Sequence, residues 1–119
     1  MLNIKDKIYE AIKDIVENVG DSYAAVVGNF PAIQYCEEEN KVYQWADNKE
    51  QSSIVRYRFD IWDRVSTTAL AIQIDDRVSA LGLKRIQCMD VDDESGLKHK
   101  IIRYEGIINP YNNMVTHLK

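Results

Sequence analysis

The first stretch of the chain carries apolar residues at the spacing of one helix face. Five aliphatic residues recur at steps of three or four positions: Ile4, Ile8, Ile12, Ile15 and Val19. Charged and amide side chains fill most positions between them, which is typical of an amphipathic helix packed on a core. Gly20 is a residue type that commonly ends a helix in the left-handed conformation. The pattern predicts a helix over residues 2–19.

After residue 53 the apolar pattern changes to a period of two. Every second residue is apolar: Val55, Tyr57, Phe59 and Ile61. The residues between them are mostly charged: Arg56, Arg58 and Asp60. This alternation predicts a half-buried antiparallel strand whose odd-numbered residues face the core.

The helical period then returns, at steps of four, four and three residues: Leu70, Ile74, Val78 and Leu81. This stripe predicts a second amphipathic helix over about residues 66–81, with Ser66 near its start and Gly82 after its end. Residues 83–108 form two further apolar-polar runs around the polar segment 92–96. That composition predicts a C-terminal hairpin over about residues 83–108.

The region between the first helix and Ile54 has the weakest pattern. Residues 23–28 allow either a short strand or an extended loop, and segments near 32–36 and 41–45 alternate weakly. Residues 47–53 contain no hydrophobic side chain, which predicts a solvated, mobile loop over about residues 37–53. The predicted order is α-β-β(-β)-α-β-β in a single domain, residues 1–119. We therefore expect an α+β fold with two main amphipathic helices and an antiparallel or mixed sheet of about four to five strands.

Charge and composition narrow the function classes. The chain has 15 Lys and Arg against 19 Asp and Glu, a net charge of −4, which argues against a protein that coats nucleic acid or an anionic membrane. No apolar run is long enough to span a bilayer, and the first residues lack the apolar segment of a signal peptide. Two cysteines do not make a disulfide framework. These features predict a cytoplasmic protein with reduced thiols.

Residue types that carry chemistry are few and scattered. The cysteines and histidines have none of the close spacings of a zinc site: Cys36, Cys88, His99 and His117. The five glycines do not cluster, so no phosphate-binding loop is present. We expect no catalytic residue, no metal and no cofactor. A thiol of Cys36 or Cys88 supporting weak hydrolase chemistry stays open, because a Cys–His pair can form in space.

Two large apolar side chains lie off the predicted core faces. Ile72 lies on the opposite side of the second helix from Leu70, and Trp62 lies on the opposite face of its strand from Tyr57 and Phe59. Two interpretations follow. Either both sheet faces are covered, or some apolar surface awaits a partner.

Residues 56–109 carry an ordered series of turns and strand ends. Arg-Tyr-Arg-Phe-Asp-Ile-Trp-Asp stands at 56–63 and Ser-Ala-Leu-Gly-Leu-Lys-Arg at 79–85. Cys-Met-Asp-Val-Asp-Asp follows at 88–93 and His-Lys-Ile-Ile-Arg-Tyr-Glu-Gly at 99–106. With the opening helix and Pro31, this order resembles the small tail-completion or tail-terminator proteins of long-tailed bacteriophages and prophages. The resemblance covers about two thirds of the chain, and its motifs are turns and core positions.

The resemblance implies a structural assembly protein and not an enzyme. Such proteins form a ring, usually a hexamer, that terminates the tail tube and joins it to the head. The implied partners are other copies of the chain, the tail-tube protein and a head-completion protein, with DNA only passing through the ring. The implied locations are the bacterial cytoplasm during assembly and then the virion tail or neck.

On this hypothesis segment 37–53 is the docking loop. The acidic residues Glu37–Glu39 and the basic residues Arg56, Arg58 and Arg64 are complementary charges across or between rings. The candidate interface residues are Glu37, Glu38, Glu39, Arg56, Arg58, Trp62, Arg64 and Ile72. Two alternatives remain open: another phage neck or head-completion protein, and a small cytoplasmic α+β domain that binds a ligand or partner.

Overall fold

The order of helices and strands confirms the α+β class. A computed structural model describes residues 4–21, 30–47, 49–109 and 115–116. The helices are α1 (Lys5–Ile12) and α2 (Thr68–Ser79). The strands are β1 (Asn18–Gly20), β2 (Ala32–Ala46), β3 (Lys49–Asp63), β4 (Lys84–Val91), β5 (Lys98–Ile108) and β6 (Val115–Thr116). The prediction for residues 23–28 lies outside the described residues.

The strands form one mixed sheet in the order β1-β2-β3-β5-β4, and the two-residue β6 pairs with β5. β1 runs parallel to β2, and all other neighbouring strands are antiparallel. β4 and β5 form the predicted C-terminal hairpin, in which β5 lies next to β3 and β4 is an outer strand.

The core lies on one face of the sheet, beneath both helices. The odd-numbered residues of β3 are buried there, as their alternation predicts: Val55, Tyr57, Phe59 and Ile61. Ile8 and Ile12 of α1 and Ile74 and Val78 of α2 pack against them. We call this side the helix-bearing face and the other side the helix-free face. Burial of these large side chains supplies the main driving force for folding.

The first helix is shorter than the predicted span of 2–19. α1 ends at Ile12, and Asn18–Gly20 form β1 instead of helix, while residues 2–3 lie outside the described part of the chain. Parallel pairing of β1 with β2, where Val19 lies opposite Ile33, competes with helix continuation and overrides the periodicity. Ile15 and Val19 still pack against the core, but from a turn and a strand.

The predicted mobile loop over 37–53 is wrong. Most of it belongs to a long hairpin, in which Ala46 pairs with Lys49 across a two-residue turn. Asp47 in this turn has φ 53°, a left-handed conformation that Asp tolerates better than most residues. Strands pair through their backbone, so a strand does not require hydrophobic side chains. Ser52 and Ser53 show this, because both are polar and buried within β3. The absence of hydrophobic residues over 47–53 therefore did not indicate a loop.

The second helix lies within its predicted span of 66–81. α2 begins at Thr68, whose N–H donates a 3.3 Å hydrogen bond to the Ser66 hydroxyl. Gly82 follows the helix with φ 101°, as its position predicts. A Cβ on Gly82 would collide with the Val115 carbonyl, so glycine is required there by both conformation and space.

Candidate functional site

A network of charged side chains covers the middle of the helix-free face. Arg58 donates two hydrogen bonds of 2.9 Å to the nearly buried Asp60, and this pairing raises the pKa of Arg58. His99 Nε2 lies 2.7 Å from Asp60 Oδ1 on the neighbouring strand. The buried Asp60 carboxylate is thus matched by the Arg58 guanidinium, as buried ion pairs require.

The predicted interface carboxylates and arginines also have partners within the chain. Arg103 Nε donates a 2.9 Å hydrogen bond to Glu38. Arg56 lies 3.3 Å from Glu105 and 3.9 Å from Glu39, and Lys41 lowers the pKa of Glu39 at a distance of 3.1 Å. The cross-strand register brings these residues together, so they balance charge within the chain.

Glu37 points the opposite way from its acidic neighbours, to the helix-bearing face. The buried Tyr57 hydroxyl donates a 2.8 Å hydrogen bond to Glu37 and accepts one of 3.3 Å from the Ile4 N–H. Burial raises the pKa of Tyr57, and the bond to Glu37 raises it further. Glu37 is therefore a structural residue that anchors the start of α1.

Trp62 is not part of an exposed apolar surface. Its side chain is 7% exposed and packs on the helix-free face in a small cluster with Ala32, Phe30 and Leu97. Its ring stacks on His99, with centroids 4.5 Å apart. Both faces of the sheet are covered at this position. Arg64 is exposed, with its guanidinium 6.0 Å from the centroid of the Phe30 ring, a cation–π arrangement.

Ile72 is the one predicted interface residue whose apolar side chain lies mostly in solvent. It is 58% exposed on α2 and borders a groove of about 210 Å³ between α2 and β4. Cys88, exposed on β4, lines the same groove. Cys36 is half-buried on the helix-free face, and burial followed by the nearby Glu38 raises the pKa of its thiol.

The hairpin formed by β2 and β3 extends beyond the rest of the sheet. Pairing of β3 with β5 ends at Ser53 and Ile108, so residues 43–52 pair only with each other among the described strands. We call residues 43–52 the hairpin arm. Trp45 on the arm is 61% exposed, and Tyr43 and Val42 at its base are about half exposed. The molecule measures 52 Å along its longest axis and about 26 Å across.

A second exposed apolar patch lies at the opposite side of the sheet. β4 is an outer strand, and its residues from Lys84 to Asp90 are all exposed. Among them are the large side chains of Ile86 and Met89. We call residues 84–91 the β4 edge. The sequence predicts the arm as part of the candidate docking segment 37–53, as a loop and not as a hairpin, and it does not single out the β4 edge. Both contain uncharged runs, 42–46 and 86–89.

A groove of about 620 Å³ lies between the segment before α2 and the turn that joins β4 to β5. Polar side chains dominate its lining, including Ser66, Thr68, Asp90, Asp92 and His99. Within the described ranges, no three His, Cys, Asp or Glu side chains are grouped to hold a metal ion. The groove offers hydrogen-bonding groups to a small polar molecule.

Two further observations bear on the class of protein. None of the helices in the described part of the chain is both long and apolar enough to cross a membrane. Comparison of the sequence with protein-family models and with curated proteins found no match.

Proposed function

We propose that this chain is a structural assembly subunit of a phage or prophage tail, which forms a ring that terminates the tail tube and joins it to the head. The hairpin arm is the observation that carries the proposal. The series of turns and strand ends over residues 56–109 supports the phage assignment through its resemblance to tail-completion proteins. The ring is the part of this proposal that solution measurements test directly.

The arm has the properties of a surface that another protein covers. A two-stranded hairpin is marginally stable in water, and this one exposes Val42, Tyr43 and Trp45 instead of packing them on its own core. Exposed apolar patches mark interaction sites, and aromatic residues are enriched among the side chains that dominate binding energy. The arm is therefore better explained as an assembly element than as solvated surface.

Ring formation needs two different patches on each subunit. Contacts between unlike patches repeat head to tail, and they close into a ring when the rotation between neighbours allows it. The arm extends from β2 and β3, whereas the β4 edge lies beyond β5 on the other side of the sheet. One chain thus presents two distinct apolar patches that cannot contact each other within one molecule.

The enzymatic alternative has less support. A reactive cysteine needs a lowered thiol pKa, whereas burial and Glu38 raise that of Cys36. The polar groove beside Ser66 keeps ligand binding open as a second function, with Asp90, Asp92 and His99 as its contacting side chains.

The test compares the full chain with a variant that lacks the arm. Val42 and Ser53 are opposite each other in the hairpin, so replacing residues 43–52 by an Asn-Gly turn joins them with a two-residue connection. Light scattering across protein and magnesium concentrations measures molar mass, and negative-stain images show the shape of large species. We expect rings from the full chain and a folded monomer from the variant.

The phage role is tested in particles that carry this chain. The arm-less variant is expected to yield heads and tails that do not join, at normal levels of folded protein. Normal infectious particles from that variant would overturn the role of the arm in tail joining. A full chain that stays monomeric alone and also in the presence of tail tubes would overturn the ring.

A further inference from the structure

The hairpin arm and the β4 edge are complementary as strands as well as apolar patches. We propose that the outer edge of β2 over Lys41–Trp45 pairs with the β4 edge of a second copy, so that the sheet continues from one subunit into the next. This inference rests on the proposed self-assembly and names the surface through which it occurs.

Both edges lack a strand partner within the described chain. β1 pairs with β2 only over Ala32–Gln34, and no described strand pairs with the outer side of β4. The middle of each edge carries no charge, over residues 42–46 and 86–89. Long uncharged edges are templates for pairing with another chain, and charges, proline and β-bulges are the usual protection against it. β2 has register shifts after Val42 and after Gln44, and β4 has one after Arg85, so pairing between copies is interrupted at these positions. A second copy on these edges would hydrogen-bond the exposed backbone groups.

The topology determines the relative direction of the two strands. β2, β3, β5 and β4 are successive antiparallel neighbours, so β4 runs antiparallel to β2 within one subunit. When two copies place their helix-bearing faces on the same side and point the same way, β4 of one copy runs antiparallel to β2 of the next. Antiparallel pairing is also the slightly more stable arrangement.

Charge complementarity favours the same direction. Antiparallel pairing brings Lys84 and Arg85, at the start of β4, towards Asp47 at the tip of the arm. The opposite end brings Asp90, which lies 2.8 Å from Lys100, towards Lys41, which lies 3.1 Å from Glu39. Parallel pairing would instead place Lys84 near Lys41 and Asp90 near Asp47, which are repulsive combinations. Neither Lys84 nor Asp47 forms an ion pair with a side chain that the structure describes, so both charges are available to a neighbour.

The apolar residues fit the same arrangement. Met89 lies opposite Ile101 and Ile86 borders Arg56 and Arg103, which places both on the helix-free face, and antiparallel pairing brings them towards the stretch of the next copy that carries Trp45. Val42 lies opposite Ser53 and Cys88 lies opposite Ile102, which places both Val42 and Cys88 on the helix-bearing face. A thiol at residue 42 would therefore lie on the same side of the extended sheet as Cys88 of the neighbour.

Cross-linking with the native thiol of Cys88 tests the contact directly. The test variant combines Cys36→Ser with Val42→Cys, so its thiols are those of residues 42 and 88. A short bismaleimide joins two thiols that lie near each other. We expect a ladder of covalent oligomers on a denaturing gel, and its loss when Cys88→Ser is added. Glu10→Cys in place of Val42→Cys is the matched control, because Glu10 is exposed on α1 and belongs to neither edge.

Light scattering on the same samples separates the two proposals. Rings whose cross-linking does not exceed that of the Glu10→Cys control would overturn the pairing and leave the ring in place. A cross-linked ladder from open chains would support the pairing and overturn the ring. A chain that is monomeric at every concentration, and that stays monomeric in the presence of tail tubes, would overturn both.

A charge exchange tests the direction of the strands. Lys84→Glu is expected to weaken association by about five-fold, the size of an exposed ion pair, and Asp47→Lys in the same chain to restore it. Lys98→Glu makes the same change of charge on β5 and is expected to leave association unchanged. Failure of Asp47→Lys to restore association would overturn the antiparallel arrangement.

Discussion

Trp62 donates a 2.9 Å hydrogen bond from its indole Nε1 to Asp93, and so joins the end of β3 to the turn between β4 and β5. Asp93 also accepts hydrogen bonds from the Ser95 N–H at 2.9 Å and from the Ser95 hydroxyl at 2.6 Å. The two bonds from Ser95 and the one from Trp62 hold the pKa of Asp93 at about 2. The ionised carboxylate is thus the form that the folded turn prefers.

This preference predicts a pH dependence of stability. Because the folded pKa of Asp93 is lower than its ordinary value of 3.8, its contribution is present above that value and is lost as the pH falls towards about 2. We expect Asp93→Asn to remove this part of the decline in the free energy of unfolding. Urea denaturation between pH 7 and pH 2 measures it.

Asp92→Asn is the control for this effect. Asp92 is an exposed neighbour that makes no hydrogen bond to Trp62 or Ser95, so its variant should follow the acid profile of the unmodified chain. Identical profiles for Asp93→Asn and Asp92→Asn would contradict the role of the Asp93 carboxylate.

A second hydrogen bond connects the sheet to α2. The fully buried Tyr104 donates a 2.8 Å hydrogen bond to Asp75, and burial with this bond raises the pKa of the phenol. We expect Tyr104→Phe to lower the free energy of unfolding by about 1.5 kcal/mol, since the acceptor is a carboxylate. Arg85 also contacts Asp75 at 3.0 Å and limits the loss.

Chemical denaturation measures the change in Tyr104→Phe. Tyr43→Phe, which removes the same hydroxyl from a half-exposed side chain, is expected to change stability by less than about 0.5 kcal/mol. A Tyr104→Phe protein as stable as the Tyr43→Phe protein would show that the bond to Asp75 contributes nothing net.

The predictable part of the fold is the part that the core determines. The alternation from Val55 to Ile61 and the spacing of Ile74 and Val78 reflect one buried face each, so the strand and the helix could be read from the sequence. The strands of segment 37–53 could not be predicted in this way. The arm is held by backbone pairing, and most of its β2 side chains are exposed, so no buried face leaves a pattern in the sequence. Its best signal was the Asp-Asn pair at 47–48 after an apolar run, which favours a tight turn.

The candidate site was harder to predict because it depends on register. Glu38 and Arg103 are 65 positions apart in the sequence and form an ion pair only because β5 lies beside β3. In the sequence, the acidic and basic residues therefore suggested charged partners on another protein. In the structure, they pair with each other within the chain. Sequence did place Ile72 off the core face, and its side chain is exposed.

The turn after α2 predicts different costs for two glycine substitutions. Gly82→Ala combines a left-handed φ of 101° with a collision between the new Cβ and the Val115 carbonyl. We expect it to lower the free energy of unfolding by about 2–3 kcal/mol, as strain and overpacking add. Thermal or urea denaturation measures the loss.

Gly96→Ala is the matched control. Gly96 also has a positive φ, 81°, but a Cβ there would meet nothing within 4 Å. Only the conformational cost remains, about 1 kcal/mol. Equal losses at Gly82 and Gly96 would mean that the approach of Val115 imposes no steric requirement.

The two thiols are expected to differ in reactivity, which separates the assembly proposal from thiol chemistry. Cys88 is exposed on the β4 edge, whereas burial raises the pKa of the half-buried Cys36 and so lowers its thiolate fraction. N-ethylmaleimide at pH 7.5 on dilute protein should give one fast adduct by mass spectrometry, at Cys88. Cys88→Ser should remove it, and Cys36 should react at least about ten-fold more slowly until the protein is denatured.

Fast labelling of Cys36 at pH 7.5 would indicate an activated thiol and favour catalysis. Protection of Cys88 as the protein concentration rises would instead locate its thiol within a subunit contact.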